Sequence, residues 1–320
     1  MDLEWSESEQ AFRAECRDWL ADNVPGEPLP SGDTAEGFAA HLEWEKLLHE
    51  ARWSVVSWPE AYGGRDATLW EWLIFEEEYY AAQAPQRITL NGIFLLAPTI
   101  FDVGTPAKQE HDLPRMSSAE DLWCQGWWDP NSGSDLAGIS SRAARHEEAG
   151  GWRLSGQKTW TTRGAFCTHV FGLFRTDPEA ERHRGLTYFL VPLDAEGVTV
   201  RGFGRLDGDE GFAEVFLDDV FIPDDDATPA TMARGGILGE VGKGWGVAMS
   251  TTNSERGLTL RSPGRFRAAA ERLVELARRT GAGSSGAAAS EAALDAVTDA
   301  WIDAEAYALY TLGDVTDLVE

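Results

Sequence analysis

The sequence predicts an α+β chain with a helical N-terminal lobe over 1–115, a central β lobe of barrel or sandwich type over 116–228, and a second helical region over 229–320. Three observations predict it. Apolar residues recur at helical spacing up to Val103, the period changes to two from Leu122, and helical spacing returns after Gly239-Glu-Val-Gly-Lys-Gly-Trp245. At 320 residues the chain has room for two or three lobes, at roughly 100–200 residues each.

Taken in order, Ser6-Glu-Ser-Glu9 is a capping box, followed by Phe12, Cys16, Trp19 and Leu20 on one helical face; Pro25-Gly26 stops that helix. A second helix starts near Thr34, with Phe38, Leu42, Leu47 and Leu48 inward. A third follows Tyr62-Gly-Gly64 and carries Leu69, Trp72, Leu73, Tyr79 and Tyr80 on one stripe. A fourth, from about Asn91 to Val103, is apolar all round and ends at Gly104. Strands are predicted at 122–128, 141–147, 152–162, 169–175, 186–192, 197–204 and 213–222, with Gly150-Gly151 as a hairpin turn and Pro192 and Pro223 closing strands. In the last region Trp245, Met249, Leu273 and Leu276 suit a buried helical stripe, with Pro263-Gly264 expected to kink or break the helix. Gly281-Ala-Gly-Ser-Ser-Gly286 reads as a flexible connector before a final helix with Leu294, Val297, Trp301, Ala304 and Leu309.

The formal charge of −27 argues against a nucleic-acid partner, because phosphate backbones are held by clustered Lys and Arg. No membrane-length apolar run and no signal peptide is seen, so a cytoplasmic protein without a membrane partner is expected. Cys16, Cys124 and Cys167 are widely spaced in apolar surroundings, as reduced core cysteines are. The lysines are Lys46, Lys108, Lys158 and Lys243 against many arginines, which fits a salt-adapted surface or a GC-rich genome equally. His146 has no helical partner, and no metal site is predicted. Gly239–Trp245 is not a P-loop: Gly244 stands where Ser or Thr is required.

Chemistry concentrates in Trp123-Cys-Gln-Gly-Trp-Trp-Asp-Pro-Asn-Ser-Gly-Ser-Asp-Leu-Ala-Gly138 and in Lys158-Thr-Trp-Thr-Thr162. The first reads as an aromatic strand running into a loop whose small polar residues can offer hydroxyls and amides to a phosphate, while its tryptophans can wall a flat ring. A flat ring with a phosphate tail is a nucleotide cofactor. These two stretches resemble the acyl-CoA dehydrogenase signatures, a strand ending in Glu/Asp-Pro-x-x-Gly-Ser-Asp and a following Lys-x-Trp-x-Thr-x-Gly, here Lys158, Trp160, Thr162 and Gly164. Trp53 to Gly64, Gly104 to Gln109 and Glu214 to Pro223 resemble further marks of the same family.

The resemblance implies FAD as cofactor and removal of two hydrogens from an acyl-CoA substrate, a carboxylate taking the α-proton and flavin N5 the β-hydride. It places Gln125, Trp127, Trp128, Ser134, Trp160 and Thr162 at the cofactor, and Ser134 and Arg256 at the substrate. Trp128 departs from the family, which has Ser or Thr there; Asp129 replaces the usual Glu, and Arg163 replaces a small or amide residue. Asn253-Ser-Glu-Arg256 falls where one branch carries its base, so Glu255 is the candidate, the alternative being a solvated Glu255–Arg256 ion pair. The opening Trp-Cys-Gln-Gly resembles actinobacterial enzymes of steroid side-chain degradation, many of them heterotetramers. Relatives continue through further helices, so the resemblance implies an incomplete C-terminal bundle and a homo- or hetero-oligomer, with an electron-transfer flavoprotein as the usual acceptor. The rival reading is a catalytically inactive partner subunit.

Overall fold

The computed structural model describes residues 4–224, 228–255, 262–280 and 288–319. The first helix, α1 (Glu7–Asn23), starts where Ser6 accepts from the Glu9 N–H and the Glu9 carboxylate accepts from the Ser6 N–H at 2.7 Å. Thr34 caps α2 (Ala35–Glu50), and a Thr68/Glu71 box caps α3 (Leu69–Ala81). The fourth predicted helix is two pieces, a π-helical turn over Asn91–Leu96 running into α4 (Ala97–Val103). A helix the sequence reading did not identify follows: α5 (Pro106–Ser117), with Thr105 as its N-cap and Pro106 at its first turn. Its charged surface hides an inner stripe of Leu113 and Met116.

The inner faces of α1, α2 and α3 meet in a core built on Trp53, which stacks on Phe75 at 5.7 Å and takes Phe12 edge-on at 5.5 Å. Helix α3 is buried on more than the predicted stripe, because α1 lies on one side and a later helix, over Pro263–Thr280, on another.

All seven predicted strands form: β1 (Trp123–Gly126), β2 (Arg142–His146), β3 (Gly151–Thr162), β4 (His169–Arg175), β5 (Leu186–Pro192), β6 (Val198–Phe203) and β7 (Phe212–Pro223). A two-residue β8 (Gly236–Ile237) follows the short α6 (Pro229–Met232). They make one mixed sheet of order β6-β7-β3-β2-β4-β5-β8, with β1 parallel to β4. The sheet encloses Leu154, Val170, Phe189 and Val215, and Trp152 of β3 meets Phe189 of β5 edge-on at 6.1 Å, as facing sheet halves do. On the other face Phe171, Leu173, Tyr188 and Leu190 pack against α4 and α7 (Gly244–Glu255). Strands β4 and β5 are therefore buried on both faces, and the period of two assigns alternate residues to two cores.

Helices α8 (Pro263–Thr280) and α9 (Ala288–Val319) complete the described chain. Pro263 stands at the first position of α8 rather than inside a longer helix. Of the predicted buried stripe, Trp245 and Met249 are only half-buried and Leu273 and Leu276 are exposed, while α9 packs on α8 along Ala270 and Ala304. Trp301 and Leu309 of α9 are likewise exposed, and the connector over 281–286 lies outside the described residues.

The helical and β lobes are pinned by Arg163, the departure the sequence left unexplained. Its Nε donates to Asp33 Oδ1 at 2.7 Å, Arg205 reaches the same carboxylate at 2.8 Å, and Phe38 meets Phe166 beside them at 5.2 Å. Arg163→Met should lower stability to urea by about 1.5–3 kcal/mol, the worth of hydrogen bonds to a charged group; an unchanged midpoint would show that the lobes are held elsewhere.

Candidate active-site crevice

The two sequence stretches converge on one point. Leaving β1 after Gly126, the chain makes a single bridge to β3, where the Thr159 N–H donates to the Trp128 carbonyl at 2.8 Å. That bridge sets Trp128 beside Thr159 and Trp160. Gln125 is half-buried in β1 opposite Phe171, and Trp127 is buried with its ring edge-on to Phe171 at 5.6 Å and to Tyr188 at 5.4 Å. Trp128 is half-buried, and no acceptor for its own N–H is found among the described residues.

Beneath the bridge lies a fully buried ion pair. Lys158 Nζ donates to Asp129 Oδ1 and to the Leu173 carbonyl, both at 2.8 Å, and sits 4.7 Å from the Phe174 ring centre. Asp129 also accepts from Ser140 N and Ser141 N, each at 2.6 Å, and from Ser141 Oγ at 2.8 Å. Burial alone would raise the Asp129 carboxyl, but Lys158 and the Ser141 donors outweigh it and hold the group below its ordinary range. Asp129 is thus the anchor of the loop over 129–141, turned away from the ring site. Ser132 is buried in the same turn, its Oγ donating to the Asp129 carbonyl at 3.0 Å.

The loop's outer edge carries Ser134, exposed beside Gly133, whose φ of +47° permits the turn. Asp135 next to it accepts from Arg182 at 2.6 Å. Arg182 begins the turn Arg182-His-Arg-Gly185 between β4 and β5; His183 meets Trp245 of α7 at 5.6 Å, and the Gly242 N–H donates to Thr187 Oγ1 at 2.8 Å, which brings Lys243 to the same rim. These basic residues were missed from sequence, where they read as ordinary surface charge. In a chain of net charge −27 they put basic side chains on this rim, Arg182 being paired with Asp135.

On the other flank β3 is irregular between Lys158 and Thr161. Trp160 sits there with φ of +57°, a conformation bulky residues avoid, and its indole is 58% exposed. The irregularity breaks the alternation of the strand and turns Trp160 outward. Phe203 at 5.3 Å and Phe212 at 5.5 Å hold the ring edge-on. Thr162, two residues on, is exposed at the same strand end.

The opposite wall is helical. Thr99 Oγ1 of α4 and Thr251 Oγ1 of α7 are 2.8 Å apart, and Tyr188 Oη is 3.2 Å from Thr251. Phe94, Phe101, Trp128, Leu136, Trp245 and Met249 border this apolar cluster without being fully buried, so they line the edge between helices and sheet. Glu255 is exposed at the end of α7, on the face of Ala248 and Thr251 and one turn beyond the contact with α4. Arg256 lies outside the described residues. Among the described residues no group of three or more His, Cys, Asp or Glu is placed to hold a metal.

Comparison with known proteins agrees with this architecture. The acyl-CoA dehydrogenase N-terminal, middle and C-terminal domain models match residues 6–120, 124–220 and 242–316. The chain belongs to the acyl-CoA dehydrogenase family, whose members are oxidoreductases. It is similar to acyl-CoA dehydrogenase IpdE1 of Mycolicibacterium smegmatis, at 40% identity over 85% of this chain and 71% of that protein. In fold it is similar to the Tcur3481-Tcur3483 steroid ACAD, with a TM-score of 0.80 and 24% identity over 99% of this chain and 78% of that one. The ChsE4-ChsE5 complex from Mycobacterium tuberculosis gives 0.74 at 24% identity, over the same shares. The family's helical, β and helical order is the order seen here. No helix among the described residues is long and apolar enough to cross a membrane.

Proposed function

We propose that this acyl-CoA dehydrogenase holds FAD along the junction of β1 and β3 and removes an α-proton and a β-hydrogen from an acyl-CoA thioester, leaving an α,β-unsaturated product. The observation that carries the reading is the bridge of Trp128 to Thr159, which sets an unpaired N–H beside an outward-turned indole. A planar heteroaromatic ring with acceptor atoms on its edge fits that pair. Bound there, the flavin supplies the acceptor for the β-hydrogen.

The chain's own residues do the rest. Trp160 offers apolar area to one side of the ring, the Trp128 N–H and the Thr162 hydroxyl offer donors to its edge, and Gln125 and Trp127 buttress the strand beneath. Ser134 and the amides of its loop, with Arg182, Arg184 and Lys243 along the rim, suit the phosphates of the cofactor or of CoA. Trp245, Met249 and Phe94 exclude water from the space between sheet and helices. Glu255 takes the α-proton, with Arg256 next to it in sequence.

The substrate class we favour is a steroid-derived acyl-CoA, by analogy with the Tcur3481-Tcur3483 protein, with an electron-transfer flavoprotein as acceptor in the cytoplasm. Phe266, Leu273, Leu276, Leu309 and Tyr310 leave an apolar face exposed on α8 and α9, which supports association with a second copy or a related subunit. That face, with Trp128 in place of a hydroxyl residue, also favours the second reading, a non-catalytic partner subunit. Trp160→Ala should lower FAD occupancy of the purified protein, and Thr162→Ala should shift the flavin spectrum by removing a hydrogen bond worth about 0.5–1.5 kcal/mol. Unchanged occupancy and spectrum in both variants would move the cofactor elsewhere.

A further inference from the structure

A cavity of about 470 Å³ lies between α3, the chain after α2 and the helix over 91–103. Trp58, Trp72, Phe75, Phe94, Pro98 and Phe101 give it apolar walls, and Phe94 and Phe101 also border the crevice cluster described above. Its size falls within the ~300–1,000 Å³ of small-molecule sites. Two polar groups distinguish it from a packing void. Ser54, 3% exposed, lines it with an Oγ that has no hydrogen-bond partner. Glu76, 5% exposed, lines it with no salt bridge among the described residues, although its neighbours Glu77 and Glu78 are both paired with arginines. Arg87, also on the wall, is committed to Glu45 at 2.8 Å.

We propose that this cavity is a subsite for the far end of the acyl group, an alicyclic body ending in a ketone or hydroxyl oxygen, with Glu76 and Ser54 Oγ as its hydrogen-bond partners. The proposal rests on the acyl-CoA reading, because the crevice and the cavity share a wall. An alicyclic ring is matched by the flat aromatic surfaces of Trp72, Phe75 and Phe94, and its oxygen would satisfy a hydroxyl that is otherwise orphaned. Burial pushes the Glu76 carboxyl up to about 7, with Ser262 and Arg87 only partly offsetting it. Around and below neutral pH the acid is protonated and donates to a ketone; above it, the carboxylate accepts from a hydroxyl but repels a ketone oxygen. The charged and titratable groups near it are Arg87 with its partner Glu45, Tyr80 on α3, and Arg265 on α8.

The test is calorimetric binding of cyclohexylbutanoyl-CoA and its ring-ketone analogue, oxocyclohexylbutanoyl-CoA, to the FAD-loaded protein with any partner subunit present. The wild type should bind the ketone about tenfold more tightly below neutral pH, as one satisfied hydrogen bond allows, and lose that preference as pH rises through 7. Glu76→Leu should abolish the preference while leaving the affinity for the apolar thioester within a few fold. Glu76→Gln, which keeps an N–H donor of similar size, should retain the preference and lose its pH dependence. The same preference in wild type and Glu76→Leu, or a pH dependence that survives in Glu76→Gln, overturns the subsite and leaves the acyl-CoA reading standing. Failure of both thioesters to bind any of the three proteins overturns that reading and the subsite with it.

Discussion

Lys158→Met destabilises the protein by about 3–5 kcal/mol, the cost of leaving a buried carboxylate without its counter-charge. Lys158 and Asp129 are 1% and 2% exposed at the side chain, and in the methionine variant Asp129 Oδ1 and the Leu173 carbonyl lose the ammonium that donates to them. Asp129→Asn with Lys158→Met should recover part of the loss, because no uncompensated charge remains. The sign of the pH dependence follows from the depressed Asp129 carboxyl. Its contribution is fully present above its unfolded value of about 3.9 and is lost as pH falls through the lower folded value. Urea unfolding across acid pH measures both effects; a Lys158→Met midpoint equal to wild type at neutral pH would show that the pair does not anchor the loop.

Glu255→Gln slows flavin reduction by acyl-CoA by roughly 10²–10⁴-fold, the usual range for a positioned general base. Size and polarity are kept and proton acceptance is removed, so folding, FAD content and acyl-CoA binding should all match wild type. The geometry behind the expectation is the position of Glu255 on the Ala248 and Thr251 face of α7, which packs against the π-helical turn and α4. Stopped-flow reduction within a few fold of wild type would assign the base to another carboxylate, in this chain or in a partner subunit.

Much of the fold was legible because its periods are clean. Strands β4 and β5 are short, apolar on both faces and closed by polar or proline residues, and the capping boxes at Ser6 and Thr68 mark helix starts unambiguously. Helix α5 was not legible, since Lys108, Glu110, His111, Asp112 and the internal Pro114 hide a stripe only two large apolar residues long. Leu273 and Leu276 have the spacing of a buried stripe and lie exposed, because periodicity gives the face of a helix but not what covers it.

The candidate site was legible where local sequence carries the geometry and illegible where partners are distant. Trp160 and Thr162 could be singled out from one short stretch, but their outward turn depends on an irregularity in β3 that no residue type announces. Asp129 and Lys158 are 29 residues apart and Asp33 and Arg163 are 130 apart, so neither pair could be matched by spacing. The rim of Arg182, His183 and Arg184 joins Ser134 only through the turn between β4 and β5. Glu76 looks in sequence like one acid in a run of three, and what separates it from Glu77 and Glu78 is that those two are paired with arginines distant in sequence.

The central claim is that the junction of β1 and β3 carries a flavin that takes hydrogen from acyl-CoA. Anaerobic titration of the purified protein, alone and with a co-expressed related subunit, with a saturated acyl-CoA tests it most directly through the visible flavin band. The account predicts bound FAD in at least one preparation, bleaching of that band as acyl-CoA is added, and loss of bound FAD with Trp160→Ala in this chain. A protein that carries no FAD in either preparation, or whose FAD is neither bleached by acyl-CoA nor affected by Trp160→Ala, would contradict it.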